Sequence, residues 1–314
     1  SGMIVKCRNS YLESQSMSLP NNIIHIKEIM LDGATFLTYN KKTEVQTNTK
    51  ETDTIQITIP YDISLSHLQI NDSYISQQNA TDSLPELYAI NEFEAKDITA
   101  FNESASINII NAKASNSAGL RITSLKGKVF ILPHQLVVEQ FSLITPNSNI
   151  ALALEARFQN LDALINNPGE TIVEILCTTE LNSLKDIELI SPSITAISFI
   201  KANYNRHIQF QTAFTGKINE LHIEQFELKA GNSTNITAAG FIKNLSEHEP
   251  IKFEKAQISV QSIGNELKSI LSLPSNINLP ESISLQGSMA GLLENLQFRL
   301  DLATNRGAIQ SHGI

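Results

Sequence analysis

The chain reads as a mainly-β protein: an elongated, curved antiparallel sheet carrying a few short helices. Three observations predict it. Apolar residues recur at every second position through many segments, some of these segments change parity midway, and helical spacing is confined to a few short stretches. The 314 residues suffice for one large or two ordinary domains, and at 41% hydrophobic and 18% charged the chain can bury a sizeable core.

Along the chain, residues 41–53 are polar throughout and read as an exposed loop. Thr54 to Ile59 then alternates Thr and Gln with Ile until Pro60 ends the strand. Residues 76–86, rich in Ser, Gln, Asn and Asp with Pro85, read as a second loop. Between Leu136 and Leu143 the apolar parity moves from even (Leu136, Val138) to odd (Phe141, Leu143). One face survives such a shift only if an extra residue is absorbed, so a bulge is expected there. The same argument predicts a bulge within 221–228, where Leu221 and Ile223 give way to Phe226 and Leu228. Leu161, Leu164 and Ile165 suggest a short helix ended by Pro168-Gly169, and Leu181, Leu184 and Ile187 a second ended near Pro192. Ile263, Leu267, Ile270 and Leu271, spaced i, i+4, i+7 and i+8, suggest a third stopped by Pro274. These read as caps or crossings. Ile208 with Phe210, Ile258 with Val260 and Ile283 with Leu285 continue the strand pattern. Asn295 to Leu302 alternates without exception, placing Leu296, Phe298, Leu300 and Leu302 on one face.

The segments 136–161 and 221–245 share words in the same order. Glu139-Gln140-Phe141 matches Glu224-Gln225-Phe226, Asn147-Ser148 matches Asn232-Ser233, and Asn160-Leu161 matches Asn244-Leu245. A glycine precedes each, Gly127 and Gly216. Each copy reads as a strand, a polar turn and a returning strand, a unit that must stack on neighbours to cover its apolar face. A third, degenerate copy runs from Gly287-Ser288-Met289-Ala290-Gly291 through Leu296–Leu302 to a turn at Asn305-Arg306-Gly307.

Composition excludes several function classes. The net charge is −9 and the basic residues are scattered, which disfavours nucleic acid and anionic headgroups and leaves apolar contact as the basis for holding a ligand. No segment approaches the roughly 18 consecutive apolar residues of a membrane helix. Ser1-Gly2 reads as a cloning remnant, so an anchor of the natural protein would lie outside this sequence. Cys7 and Cys177 are far apart and read as two unpaired thiols; their spacing argues for neither a metal site nor a redox pair. The seven histidines (His25, His67, His134, His207, His222, His248, His312) form no HxH, HxxxH or HExxH pair and read as surface or turn residues. Phosphate loops, a GxSxG elbow and calcium-type Asp clusters are absent from the sequence. Glu139 and Glu224 fall at equivalent repeat positions, which argues for a solvated face over acid–base work. No catalytic residue, metal ligand or cofactor is expected.

At this point a family resemblance emerges. Phe214-Thr215-Gly216-Lys217-Ile218 followed by Leu221-His222-Ile223 resembles the glycine-punctuated strand rhythm of TamB proteins. The runs Leu271–Pro274, Ile283–Gly287 and Leu302–Gly307 resemble it too, while Ile24 to Gly33 looks like an AsmA-type strand pair. The Asn-, Ile- and Lys-rich flavour is that of the Bacteroidetes branch. The resemblance covers about 120–310 best, giving an AsmA-like region 1–120 and a TamB-like region 121–314. It implies a taco-like sheet or open sandwich with an apolar groove, in an inner-membrane-anchored protein that crosses the periplasm. It further implies transport of phospholipid acyl chains between membranes and outer-membrane biogenesis, with an outer-membrane assembly protein as a partner.

The apolar face therefore carries the functional expectation, and it has two readings. Residue chemistry alone favours a dry, closed core, because large exposed apolar patches are uncommon. The resemblance favours a sheet that curls without closing. The lining expected for an acyl chain is Leu136, Val138, Ile150, Leu152, Phe210, Leu221, Ile223, Ile236, Leu296, Phe298, Leu300 and Leu302. The competing function is a structural or adhesive β module that binds protein or glycan, and the absence of Trp weighs against a glycan platform. A chaperone-like platform using a free strand edge is compatible with the lipid reading.

Overall fold

The structure, a computed structural model, describes residues 2–40, 59–79, 86–190, 200, 203–245, 250–274 and 276–313. The loop expected at 41–53, residues 54–58 of the strand expected at 54–59, and Pro192 lie outside the described residues; Ile59 opens a strand that runs on through Pro60 instead of ending there. So does most of the loop expected at 76–86: its first four residues continue a strand, and Glu86 opens the next. The chain divides into two compact units, 1–146 and 147–314.

Unit 1 holds β1 (Gly2–Lys6), β2 (Asn9–Ser18), β3 (Ile23–Asp32), β4 (Thr35–Asn40), β5 (Ile59–Asn79), β6 (Glu86–Asn102), β7 (Ser104–Asn116), β8 (Arg121–Leu132) and β9 (Gln135–Ile144). The 21-residue β5 organises it. On one side β6 to β9 follow as an antiparallel meander. On the other, β3 and β4 lie end to end, both parallel to β5. The break between them is sewn onto β5: the buried Ala34 donates its N–H to Ser73 Oγ at 2.9 Å, and that hydroxyl donates to the Asn71 carbonyl at 2.7 Å. β2 and β1 continue outward, each antiparallel to its neighbour.

Unit 2 holds β10 (Ser148–Arg157), α1 (Leu161–Asn166), a 3-10 turn (Pro168–Glu170), β11 (Ile172–Leu181), α2 (Lys185–Ile190), β12 (Ile208–Lys217) and β13 (Glu220–Ala230). β14 (Thr234–Lys243), β15 (Lys252–Ile263), α3 (Gly264–Ile270), β16 (Ser282–Leu292), β17 (Asn295–Thr304) and β18 (Gly307–Gly313) complete it. Every strand from β10 to β18 pairs antiparallel with the next. Among the described residues no pairing joins β18 back to β10, so the sheet is open and is not a barrel.

Both expected bulges are present, and the shared repeat word is the bulge itself. In β9 the register slips opposite Gly127, where Gln140 takes φ 52° and Gly127 φ 151°. A Cβ on Gly127 would stand 3.0 Å from Phe141 Cα, which explains a glycine there. In β13 the slip falls between Ile223 and Phe226, so Glu224 and Gln225 together oppose a single residue of β14. β17 keeps unbroken register with β16, as its unbroken alternation requires.

The short helices are placed differently from their apolar spacing. α1 matches, with Asn160 accepting the Ala163 N–H at its N-terminus. Leu181 instead ends β11 and Ile263 ends β15, so each of those spacings spans a strand end and the helix that follows.

Candidate functional site

Register and pleat together assign a face to every side chain of unit 2. One row crosses all nine strands as Ile150, Thr179, Phe210, Leu228, Ile236, Val260, Leu285, Leu302 and Ile309. A second, starting at Leu152, includes Phe226, Ile258 and Leu300; a third, starting at Leu154, includes Phe214, Ile223 and Phe298. A fourth runs from Ala156 through Leu221 and Phe253 to Leu296. At about 4.8 Å per strand and 6.7 Å per residue pair, these rows span roughly 38 by 20 Å of sheet. Ten of the twelve residues expected from sequence thus share one face: Ile150, Leu152, Phe210, Leu221, Ile223, Ile236, Leu296, Phe298, Leu300 and Leu302. The other two, Leu136 and Val138, belong to unit 1. There Leu136 begins a separate apolar row through Ile131, Ala105, Ala100, Ile63, Ile24 and Met17.

All twelve residues are half-buried. The buried apolar side chains of unit 2 collect at the strand ends. Leu181, Leu184, Ile208, Ala230 and Ile270 form one cluster under the ends of β11 to β13 and α3, with Ile200 and Leu228 packed against it. Ala156, Phe158 and Val173 are buried at the opposite ends. The first three rows contain no buried apolar side chain among the described residues. A sandwich of two sheets buries its central Phe, Leu and Ile side chains fully; here the largest fully buried side chains are Asn203, Thr171 and Ser73.

The comparisons place the chain in no family. No family model, curated protein or solved structure matches it.

The opposite face is polar, and the concavities described in unit 2 open there or at the strand ends. One of about 530 Å³ lies over β13 to β17, with Gln225, Gln257, Gln286, Ser259, Arg299 and Asp301 on its wall. Asp301 Oδ1 is buried there without a hydrogen-bond partner. The alternation could not announce this concavity, because its polar residues look like any solvated face.

Sequence reasoning also missed a set of acidic clamps on the hairpin turns. Asp186 of α2 accepts from Asn147 Nδ2 at 3.0 Å and from Ser148 Oγ at 2.9 Å. Glu266 of α3 does the same for the repeat-equivalent turn. Its carboxylate accepts from the Asn232 N–H at 2.8 Å, the Ser233 N–H at 2.9 Å and Thr234 Oγ1 at 2.8 Å. Partial burial alone would raise the Glu266 pKa, but the Thr234, Asn232 and Ser233 hydrogen bonds and the Arg206 charge outweigh it, and the net direction is downward. In the third turn Asn305 exchanges hydrogen bonds with Glu281. No local signal marks these pairs, because each clamp lies many residues from its turn.

Titratable groups elsewhere form ion pairs across strands. In unit 1, His67 lies between Glu28 (2.7 Å) and Glu94 (3.3 Å), half-buried rather than on an open surface. His222 stacks on Phe241 with ring centroids 4.4 Å apart. Cys7 and Cys177 are free thiols. Among the described residues no three His, Cys, Asp or Glu side chains are grouped to hold a metal ion.

Proposed function

We propose that the apolar face of unit 2 shields phospholipid acyl chains, as a non-enzymatic periplasmic segment of a TamB/AsmA-like envelope protein. In this reading the full-length protein is anchored in the inner membrane and serves lipid transport and outer-membrane biogenesis. One observation carries the proposal: three mainly apolar rows, interrupted by smaller or polar residues such as Thr179, Thr212 and Gly287, cross nine strands, and among the described residues none of their apolar side chains is fully buried. An acyl chain laid on such a surface loses about half its contact with water, contributing roughly 0.4 kcal/mol per methylene from a full-burial value near 0.8. Side chains of this kind offer no directional hydrogen bonds, so chains slide and headgroups are not selected.

The test is to purify the protein, identify co-purifying lipid by mass spectrometry, and photocrosslink from Leu296, Phe298 and Leu300. Lipid adducts are expected at all three, and Leu300→Asp should abolish them while circular dichroism still reports a folded sheet. A protein that carries no lipid and crosslinks none from any of these positions would sink the proposal.

A second reading, an adhesive module, draws on the polar concavity, where Arg299, Gln257 and Gln286 make no side-chain hydrogen bond or ion pair among the described residues. It expects a protein or glycan ligand whose binding is lost on Arg299→Ala and is indifferent to Leu300→Asp.

A further inference from the structure

The polar concavity over β13 to β17 has its origin in side-chain size. Pairing aligns Glu227, Thr237, Ser259, Gln286 and Asp301 in one polar row. A second row, one residue pair along, holds Ala239, Gln257, Ser288 and Arg299. Short side chains (Thr237, Ser259, Ala239 and Ser288) occupy the middle strands of both rows, and the dip of about 530 Å³ lies above them. Small-molecule sites enclose about 300–1,000 Å³. Gln257 and Gln286 rise beside that floor as exposed amides, and Arg299 stands exposed at the β17 margin.

The charges on the wall are not equally open. Glu224 accepts from Thr215 Oγ1 at 2.9 Å, and Glu227 pairs with Lys229 at 3.1 Å. Arg299 and Asp301, two residues apart on one face of β17, form no ion pair with each other or with a neighbour among the described residues. Asp301 is half-buried as a residue and borders the concavity, while its Oδ1 has no donor. A hydroxyl seated there, directly or through one water, would supply it. The two open charges cancel, so they select neither an anion nor a cation. What remains is a mixture of donors and acceptors. Arg299 donates, Asp301 accepts, and the Gln257 and Gln286 amides and the Ser259 and Ser288 hydroxyls do both. The chemistry that answers such a set is a run of adjacent hydroxyl groups, each donating and accepting in turn. Phe226 and Ile258, which also border the concavity, belong by register to the apolar face. No ring is therefore offered for stacking, and recognition rests on hydrogen bonds.

We propose that this concavity is a binding site for a neutral saccharide. The inference rests on the second reading above and names its ligand class. Without stacking, the affinity for a short saccharide is expected at about the millimolar level.

The probe is a panel of neutral trisaccharides (maltotriose, cellotriose and triacetylchitotriose) titrated into the full, isotope-labelled chain and followed by NMR. At least one should shift the Gln257 and Gln286 side-chain amides saturably. Arg299→Ala and Asp301→Asn should each weaken that binding by about tenfold or more, the effect of losing a charged hydrogen-bond partner. Gln286→Ala, at an exposed position, serves if either variant does not fold. Glycine and inorganic phosphate, which carry charge in place of hydroxyl runs, should leave the amides unmoved at equal concentration. The inference is overturned if no trisaccharide shifts these amides, if the shifts do not saturate or are unchanged in Arg299→Ala, or if glycine or phosphate binds as well. A protein ligand that is lost on Arg299→Ala while every trisaccharide stays silent would leave the adhesive reading standing and overturn the saccharide alone.

Discussion

Removing the Glu266 carboxylate should unfasten the hairpin turn between β13 and β14. In Glu266→Ala, two backbone N–H groups and one hydroxyl lose a charged acceptor they reach at 2.8 to 2.9 Å. With partial exposure discounting each bond to about 1 kcal/mol, the loss is roughly 2–3 kcal/mol. For a unit of this size each kcal/mol moves the midpoint by about 2–4 °C, so the unit 2 transition should fall by roughly 5–10 °C. The pH dependence follows from the direction of the pKa. Glu266 titrates below its ordinary value in the folded state, so its contribution is complete above the unfolded pKa, near 4.3, and is lost as pH falls through the lower folded value. The difference between native protein and Glu266→Ala should therefore be constant at neutral pH and shrink only in that acid window. Hydrogen exchange at Asn232 and Ser233 reads the local effect directly. Unchanged exchange at both amides, with an unchanged midpoint, would refute the clamp.

Asp186→Ala should cost about 2–4 kcal/mol in denaturant melts, because Asp186 is buried and its loss takes a charged acceptor from Asn147 and Ser148. Asn305→Ala, in the exposed third turn, should stay within about 0.5 kcal/mol by the same measurement. Gly240→Ala places a Cβ 2.6 Å from Ala256 Cα at a φ of 135°, so a loss of about 2–4 kcal/mol in unit 2 is expected, with faster exchange in β14 and β15. Leu181→Ala, at a position only 3% exposed, should cost about 3 kcal/mol, against about 1–2 kcal/mol for Leu285→Ala in the half-covered first row. Equal losses for the two leucines would mean that the middle of the sheet is sealed.

What the sequence made legible follows the physics of the pleat. Parity marked Ile150, Phe210, Ile236 and Leu302 as lining of one apolar face, and the strand register sets them in one row because it keeps apolar residues together. Parity shifts located the bulges at Gln140 and at Glu224-Gln225 for the same reason: the face had to be recovered. Strand direction left no trace, since alternation reads identically in parallel and antiparallel neighbours, and the parallel seam of β3 and β4 against β5 was not visible. The clamps Asp186 and Glu266 were illegible because an isolated carboxylate in a short helix has no period. The helices themselves were blurred: Leu181 and Ile270 are buried in a cluster at the sheet end while Ile263 is exposed, and a strand end followed by a helix mimics helical spacing.

The distribution of fixed contacts bears on what the sheet can do. Unit 2 concentrates its buried apolar cluster and carboxylate clamps at the strand ends, and of the first row Leu228 packs against that cluster, while the other large apolar side chains of the central rows are only half-covered. Half-burial of a large aliphatic still contributes roughly 1 kcal/mol, and such contributions accumulate over nine strands without a second layer. A surface stabilised this way is already folded when an apolar guest arrives, so guest binding requires no core to be opened.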